Sequence, residues 1–140
     1  MKKIMIYISL VILALILIAV AVPVMMVVFD MRNPLRKSEE LVRESILELT
    51  PIGTNMSEVI LAIKNNERWD WSGHINHTSG YPTDASRNAF VGKQSIRVNV
   101  GKYLTLKNII PFDTFVVVFW GFDEDSDLVD IRVWKDTVGF

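Results

Sequence analysis

The strongest pattern along the chain is an unbroken apolar run at its start. Residues 4–29 give 26 positions without a charge, and only Ser9 and Pro23 interrupt them. Seventeen are Ile, Leu, Val or Phe, each worth about −0.3 to −0.6 kcal/mol near a bilayer centre, so the run favours insertion. About 20 apolar residues cross the hydrocarbon, which leaves slack for tilt or for an end near Pro23. A helix of a soluble core would show a polar face every 3.6 residues, and none is present. The pattern predicts a single-pass anchor over residues 1–30, with membrane lipid as its partner through residues 4–29. The rival is a cleaved signal peptide, since Lys2 and Lys3 suit its basic start and Ala19-Val20-Ala21 has the form of a cleavage site. The run continues from Val22 to Phe29 beyond that point, longer than the roughly 7–15 residues of a signal sequence. Retention is favoured.

Lys2, Lys3 and the amino terminus flank one end of the run, and Arg32, Arg36 and Lys37, with Asp30, flank the other. The positive-inside count is close to even. A short basic tail stays inside while a long C-terminal domain is translocated, so the expected place is the cell membrane, with the domain outside the cytoplasm.

Residues 31–37 read as a juxtamembrane connector in which Pro34 blocks helix continuation. A domain follows over residues 38–140. Ser38 opens a helix with Glu39 and Glu40 in its first turn, where the dipole favours acids. Leu41, Val42, Ile46 and Leu49 fall on one side of it, and Thr50-Pro51-Ile52-Gly53 stops it. Asn55-Met56-Ser57-Glu58 resembles a capping box, and Met56, Val59, Ile60 and Ile63 make an apolar stripe on a second helix ending near Asn66.

Residues 67–92 are polar and aromatic, broken by Gly73, Gly80 and Pro82; residues 69–75 read as a strand and the rest as loop. Residues 95–100 alternate, with Ile96, Val98 and Val100 on one face. Residues 115–122 and 128–134 are the clearest strands, joined by Asp123-Glu124-Asp125-Ser126-Asp127. Helix, helix, then antiparallel meander makes the domain α+β, two short helices packed on a three- to four-stranded antiparallel sheet behind an N-terminal transmembrane helix.

A regular ladder around that loop pairs Phe122 with Leu128, Trp120 with Asp130, Val118 with Arg132 and Val116 with Trp134. Phe115, Val117, Phe119, Val129, Ile131 and Val133 then form a uniformly apolar face expected to meet the helices. Trp120, Asp130, Arg132 and Trp134 are left on the opposite face as a candidate binding surface, since Trp and Arg are enriched at interface hot spots. The competing expectation is that residues 69–90 fold over this face and bury it, because Trp69, Trp71, Tyr81 and Phe90 need cover.

Composition narrows the chemistry. The chain carries a net −1; without Lys2 and Lys3, 13 basic residues face 16 acidic ones, a poor balance for nucleic-acid binding. There is no cysteine, hence no disulfide, thiolate zinc site, cysteine nucleophile or lipidated Cys. His74 and His77, near Asp70 and Asp84, are candidate zinc ligands or neutral-pH bases. Gly73 and Gly80 bracket them in a strand or loop, where a three-residue spacing does not converge, and no Gly-x-Ser-x-Gly elbow or phosphate loop accompanies them. No catalytic residue, metal ligand or cofactor is therefore assigned. Asp123, Asp125 and Asp127 begin like a calcium loop, but Leu128 and Trp134 stand where it needs Gly and an acid; an acidic hairpin turn fits better. Asn55-Met56-Ser57 and Asn76-His77-Thr78 match glycosylation acceptors, with Asn55 better read as a helix cap. Lys93, Arg97, Lys102 and Lys107 with Tyr103 read as a solvated sheet edge, or more sharply as an anionic-lipid contact.

The order of elements, together with Gly53, Glu58 and Val59, resembles the small envelope domain of the SmpA/OmlA (BamE) lipoproteins, whose two-helix-plus-sheet fold is shared with the β-lactamase-inhibitor protein. That family usually has Gly-x-Pro after the second helix, where this chain has Lys64-Asn65-Asn66. The resemblance implies a non-enzymatic domain that binds other proteins at a cell envelope, and transfers no binding residue. The expectation is a membrane-anchored extracytoplasmic module engaging an envelope protein or polymer. The alternatives are a structural subunit of a larger membrane complex, or a small hydrolase or metal-binding domain using His74 or His77.

Overall fold

The structure is a computed structural model that describes residues 2–83, 89–107 and 110–138. Helix α1, Lys2–Asp30, passes through Pro23 without ending. Among the described residues it is the one helix long and apolar enough to cross a membrane. A single 3-10 turn, Pro34–Arg36, follows, with Asn33 Oδ1 accepting from the Leu35 amide at 3.1 Å.

Helix α2, Glu39–Leu47, is capped by Ser38, whose Oγ accepts from the Leu41 amide at 3.3 Å. Val42 and Ile46 are buried, whereas Leu41 and Leu49 are about half exposed. The helix ends at Leu47, before a further turn could carry Leu49 inward, and Thr50 takes the buried place. Helix α3, Met56–Asn65, is capped by Asn55 Oδ1 on the Ser57 amide at 3.2 Å and buries Met56, Val59 and Ile63. The loop between the helices is stitched to the far end of the sheet: Gly53 N donates to Leu128 O, Leu128 N to Thr54 O, and Met56 N to Ser126 O.

Strands β1 (Asp70–Asn76), β4 (Gln94–Lys107), β5 (Ile110–Phe122) and β6 (Leu128–Val138) form an antiparallel sheet in the order β1-β4-β5-β6. Strands β2 (Tyr81–Pro82) and β3 (Phe90–Val91) make a separate two-stranded ribbon in a stretch that reads as loop. The long strands also outrun their sequence signals, since β4 and β5 continue to the pair Lys107 with Ile110.

The core lies between one sheet face and the two short helices. It joins Val42, Ile46, Met56, Val59 and Ile63 to Ile96, Val98 and Val100 of β4, to Val116, Val118, Trp120 and Phe122 of β5, and to Leu128, Ile131 and Val133 of β6. This overturns the regular β5–β6 ladder. Phe122 does pair with Leu128, but Gly121 then pairs with Asp130, so Val129 is an extra residue on β6. Past this bulge Trp120 pairs with Ile131, Val118 with Val133 and Val117 with Trp134. An extra residue inverts the facing of everything beyond it, which lets Leu128 and Ile131 both point inward. Trp120 is fully buried, so its place on the candidate binding face is corrected: it is core. Its indole N–H donates to Thr50 Oγ1 at 3.1 Å, Thr50 donates onward to Ile46 O, and the Trp69 ring packs 5.9 Å from it.

Candidate functional site

The sheet face turned away from the helices carries Arg97 of β4, Val117 and Phe119 of β5, and Arg132, Trp134 and Asp136 of β6, in register with one another. The β2–β3 ribbon folds over one end of this face. Gly80 permits the ribbon's tightness, since a Cβ there would lie 1.9 Å from Val91 O. Gly121 leaves room beneath it, since a Cβ there would meet the Tyr81 ring at 2.9 Å. Tyr81 is buried, its ring tilted against Phe119 with centroids 5.8 Å apart.

Asp130 and Arg132 hold that ribbon down. Tyr81 Oη donates to Asp130 Oδ2 at 2.7 Å, and Arg43 of α2 donates to Asp130 Oδ1 at 2.6 Å and to Ile131 O at 2.8 Å. Arg132 donates to the carbonyls of Pro82, at 2.8 Å, and Thr83, while its guanidinium lies over the Trp134 ring. Ser95 Oγ adds a bond to Ser79 O at 2.9 Å. Burial pushes the Asp130 carboxyl up, but hydrogen bonds from Arg43, Tyr81 and the Ile131 amide outweigh it and hold the group below the ordinary carboxylate value. Burial, and then the bond to Asp130, push the Tyr81 phenol far above its usual range.

Between ribbon and sheet lies an open cleft of about 830 Å³, lined by Tyr81, Pro82 and Phe90 from the ribbon, by Val117, Phe119 and Trp134 on its floor, and by His74, Asn76, Arg97 and Asp136 around its rim. The lining is mixed, aromatic and apolar on the floor and ribbon with polar groups beside them, and an apolar concavity that carries polar groups to orient a ligand is the usual make-up of a binding site. The Arg97 guanidinium stands 5.9 Å over the Phe119 ring, close enough for cation–π attraction. The floor offers a stacking surface, and Arg97, His74 and Asp136 offer charge of both signs or hydrogen bonds.

Of the four residues singled out from sequence, Trp134 lines the cleft and is 38% exposed. Asp130 and Arg132 brace the ribbon beside it, and Trp120 lies on the other side of the sheet. The expectation that residues 69–90 cover this face holds for Tyr81, which seals one end, whereas Trp69 turns to the core. The cleft residues Phe90, Arg97 and Phe119 were missed as a group. Arg97 was legible as the polar partner of the Ile96–Val98 alternation, while Phe119 was hidden by the bulge.

The remaining motifs fall apart or turn structural. His74 lines the cleft, while His77 is exposed and sits 3.3 Å from Gln94 Oε1. Asp84 lies outside the described residues, and among those described no cluster of three His, Asp or Glu is placed to hold a metal. Asp123 Oδ1 accepts from the amides of Asp125 and Asp127, shaping the hairpin turn. Asn76 Oδ1 accepts from Thr78 and Ser79. The described members of the basic stretch do not gather: Lys93 pairs with Glu124 and Lys102 with Asp113, and Arg97 belongs to the cleft; the Lys107 side chain lies outside the described residues.

No protein-family model, no curated protein and no solved structure matches the chain.

Proposed function

We propose that this chain is a single-pass membrane protein whose α+β domain stands outside the cytoplasm and binds an envelope protein or polymer through the cleft beneath the β2–β3 ribbon. The observation that carries the reading is the cleft itself, because the fold leaves Phe90, 51% exposed, and Trp134, 38% exposed, open in its lining while burying Trp120 in the core. Large aromatic side chains left open beside an Arg fit a binding surface. The likeness to the SmpA/OmlA envelope domains points the same way. Orientation rests on the short basic tail of Lys2 and Lys3 staying inside, since long domains are translocated largely regardless of their charge.

We read the cleft as non-catalytic. His74 is the one histidine lining it, and the two serines beside it donate to backbone carbonyls, Ser79 to Gly80 O at 3.1 Å and Ser95 to Ser79 O at 2.9 Å, rather than to a base as an activated nucleophile would. The test is a photo-activated phenylalanine analogue at Phe90 or Trp134 in intact cells, with Leu61 on the opposite side as control. Adducts from both cleft positions, of one defined mass, lost on Arg97→Ala and unaffected by His74→Ala, are expected. Equal adducts from Leu61, or insensitivity to Arg97, would remove the cleft as the binding site. Loss of function in His74→Ala with adducts unchanged would favour catalysis.

A further inference from the structure

The β4–β5 hairpin runs on past the rest of the sheet and back along α1. Strand β1 pairs with β4 only as far as Asn99, while the β4–β5 ladder continues to Lys107 and Ile110. The edge of β4 that β1 leaves open is taken by the end of α1 and the connector. Asn33 Nδ2 donates to Lys102 O at 2.9 Å, the Leu104 amide donates to Asp30 Oδ2 at 2.7 Å, and Arg36 donates to Leu104 O. As β4 advances from Lys102 to Leu104, its partners step back from Asn33 to Asp30, so the hairpin points toward the N-terminal end of α1.

Exposure along the helix is lowest on one side. Val27 is buried at 8%, and Val24 and Val20, exposed at 40% and 43%, are less so than Met25, Met26, Val28 and Phe29, which range from 51% to 77%. Positions 20, 24 and 27 share one side of a helix, and α1 packs against both β4 and β5. At about 3.3 Å per strand residue, Leu104 to Lys107 reaches roughly 10 Å, equal to about seven residues of helix, or back from Asp30 to the neighbourhood of Pro23.

That length matches an excess in α1. Its 26 uncharged residues span about 39 Å as helix, against roughly 30 Å of hydrocarbon. The surplus of about 9 Å is the stretch the hairpin covers. Leu104, Leu106, Ile110, Pro111 and Phe112 lie at this end of the hairpin, and Ile110 is 56% exposed. Of the cations near this end, Arg36 is paired with Asp30 and Lys102 with Asp113, and the side chain of Lys107 lies outside the described residues.

We propose that residues 104–106 and 110–112 of the β4–β5 hairpin are a second membrane contact, seated at the boundary of headgroups and acyl chains beside α1 and held there by apolar burial rather than by lipid charge. The proposal rests on reading α1 as a retained membrane helix. A domain held at two points on the bilayer cannot swivel freely about its tether, which fixes the direction in which the cleft faces.

The chain has no cysteine, so single cysteines can carry an environment-sensitive fluorophore in the full-length protein. Ile110→Cys reports the hairpin, Ala14→Cys the middle of α1, and Asp125→Cys the far loop. In phosphatidylcholine vesicles, with or without phosphatidylglycerol, the Ile110 label should show blue-shifted emission and loss of intensity with a shallow spin-labelled lipid. The Ala14 label should be quenched by a deep one, and the Asp125 label by neither. An Ile110 label as unquenched as Asp125, with Ala14 still quenched, would overturn the second contact alone. Quenching at Ile110 only in phosphatidylglycerol vesicles would overturn its apolar basis. An unquenched Ala14 label would overturn the anchor, and the proposal with it.

Discussion

Replacing Thr50 with Val tests whether Trp120 is sealed in the core. Both residues are fully buried. Thr50 Oγ1 accepts the indole N–H of Trp120 and donates to Ile46 O, each at 3.1 Å. Val keeps the shape and removes both bonds. The Ile46 carbonyl retains the Thr50 amide at 2.9 Å, so its loss is small, whereas the indole N–H has no other partner in reach of the described side chains. Leaving one such donor buried and unpaired costs about 1–3 kcal/mol. For a domain of about 100 residues, each kcal/mol lowers the melting temperature by roughly 4–8 °C. Thermal unfolding of the full-length protein in detergent, followed by tryptophan fluorescence, should therefore show a fall of about 5–20 °C. Trp120→Phe removes the donor itself. Adding Thr50→Val to it should cost less than Thr50→Val costs alone, by about 1 kcal/mol, as expected for coupled neighbours. A loss under about 0.5 kcal/mol for Thr50→Val, or strict additivity in the double variant, would mean the indole reaches water, and the bulge-shifted register would fail.

Three further outcomes follow from the outer face. The Asp130 carboxyl is held below its ordinary value of 3.8, so the stability it contributes is complete above that value and lost as pH falls through the lower folded one; Asp130→Asn should flatten the acid limb of a stability–pH curve, and an unchanged limb would refute the brace. The Tyr81 phenol is raised above its ordinary 10.0, so its contribution is complete below that pH and lost above it; in Tyr81→Phe the alkaline loss should shrink, and an identical alkaline limb would speak against the buried phenol. Trp134→Ala, at a residue 38% exposed, should cost no more than about 1 kcal/mol, well short of the 3–5 kcal/mol of a buried Trp→Ala, while abolishing capture of the cleft's ligand; a loss of 3 kcal/mol or more would make it core.

The helices and the fold class were legible because their signals are local. Ser38 and Asn55 cap helices by their own side chains, and Val59 and Ile63 repeat at helical spacing. The β5–β6 register was not legible. Both faces of β5 are apolar, with Val116, Val118 and Trp120 on one and Phe115, Val117 and Phe119 on the other, so periodicity alone gave either face an equal claim to the core. The single extra residue at Val129 settles it by letting Leu128 and Ile131 share the inner face, and no turn residue announces it. The β2–β3 ribbon was hidden for a different reason: it is two residues per strand and is held by long-range bonds from Asp130 and Arg132. Beyond Gly101 the edge of β4 is occupied by Asp30 of α1 and Asn33 of the connector. A Cβ at Gly101, where φ is +137°, would lie 2.8 Å from Leu35 Cδ1, so the glycine that breaks the alternation also admits the connector.

Retention of α1 on the domain underlies both the anchor and the hairpin contact, and it is tested by the mass and partitioning of the chain made in cells. Membranes washed with alkaline carbonate should keep the protein in the pellet, with an intact N-terminal segment that includes Lys2 and Lys3, while a membrane-impermeant maleimide should label Asp125→Cys in intact cells with an opened wall. Recovery of a soluble chain beginning at Val22 would contradict the anchor, and labelling only after lysis would reverse the orientation.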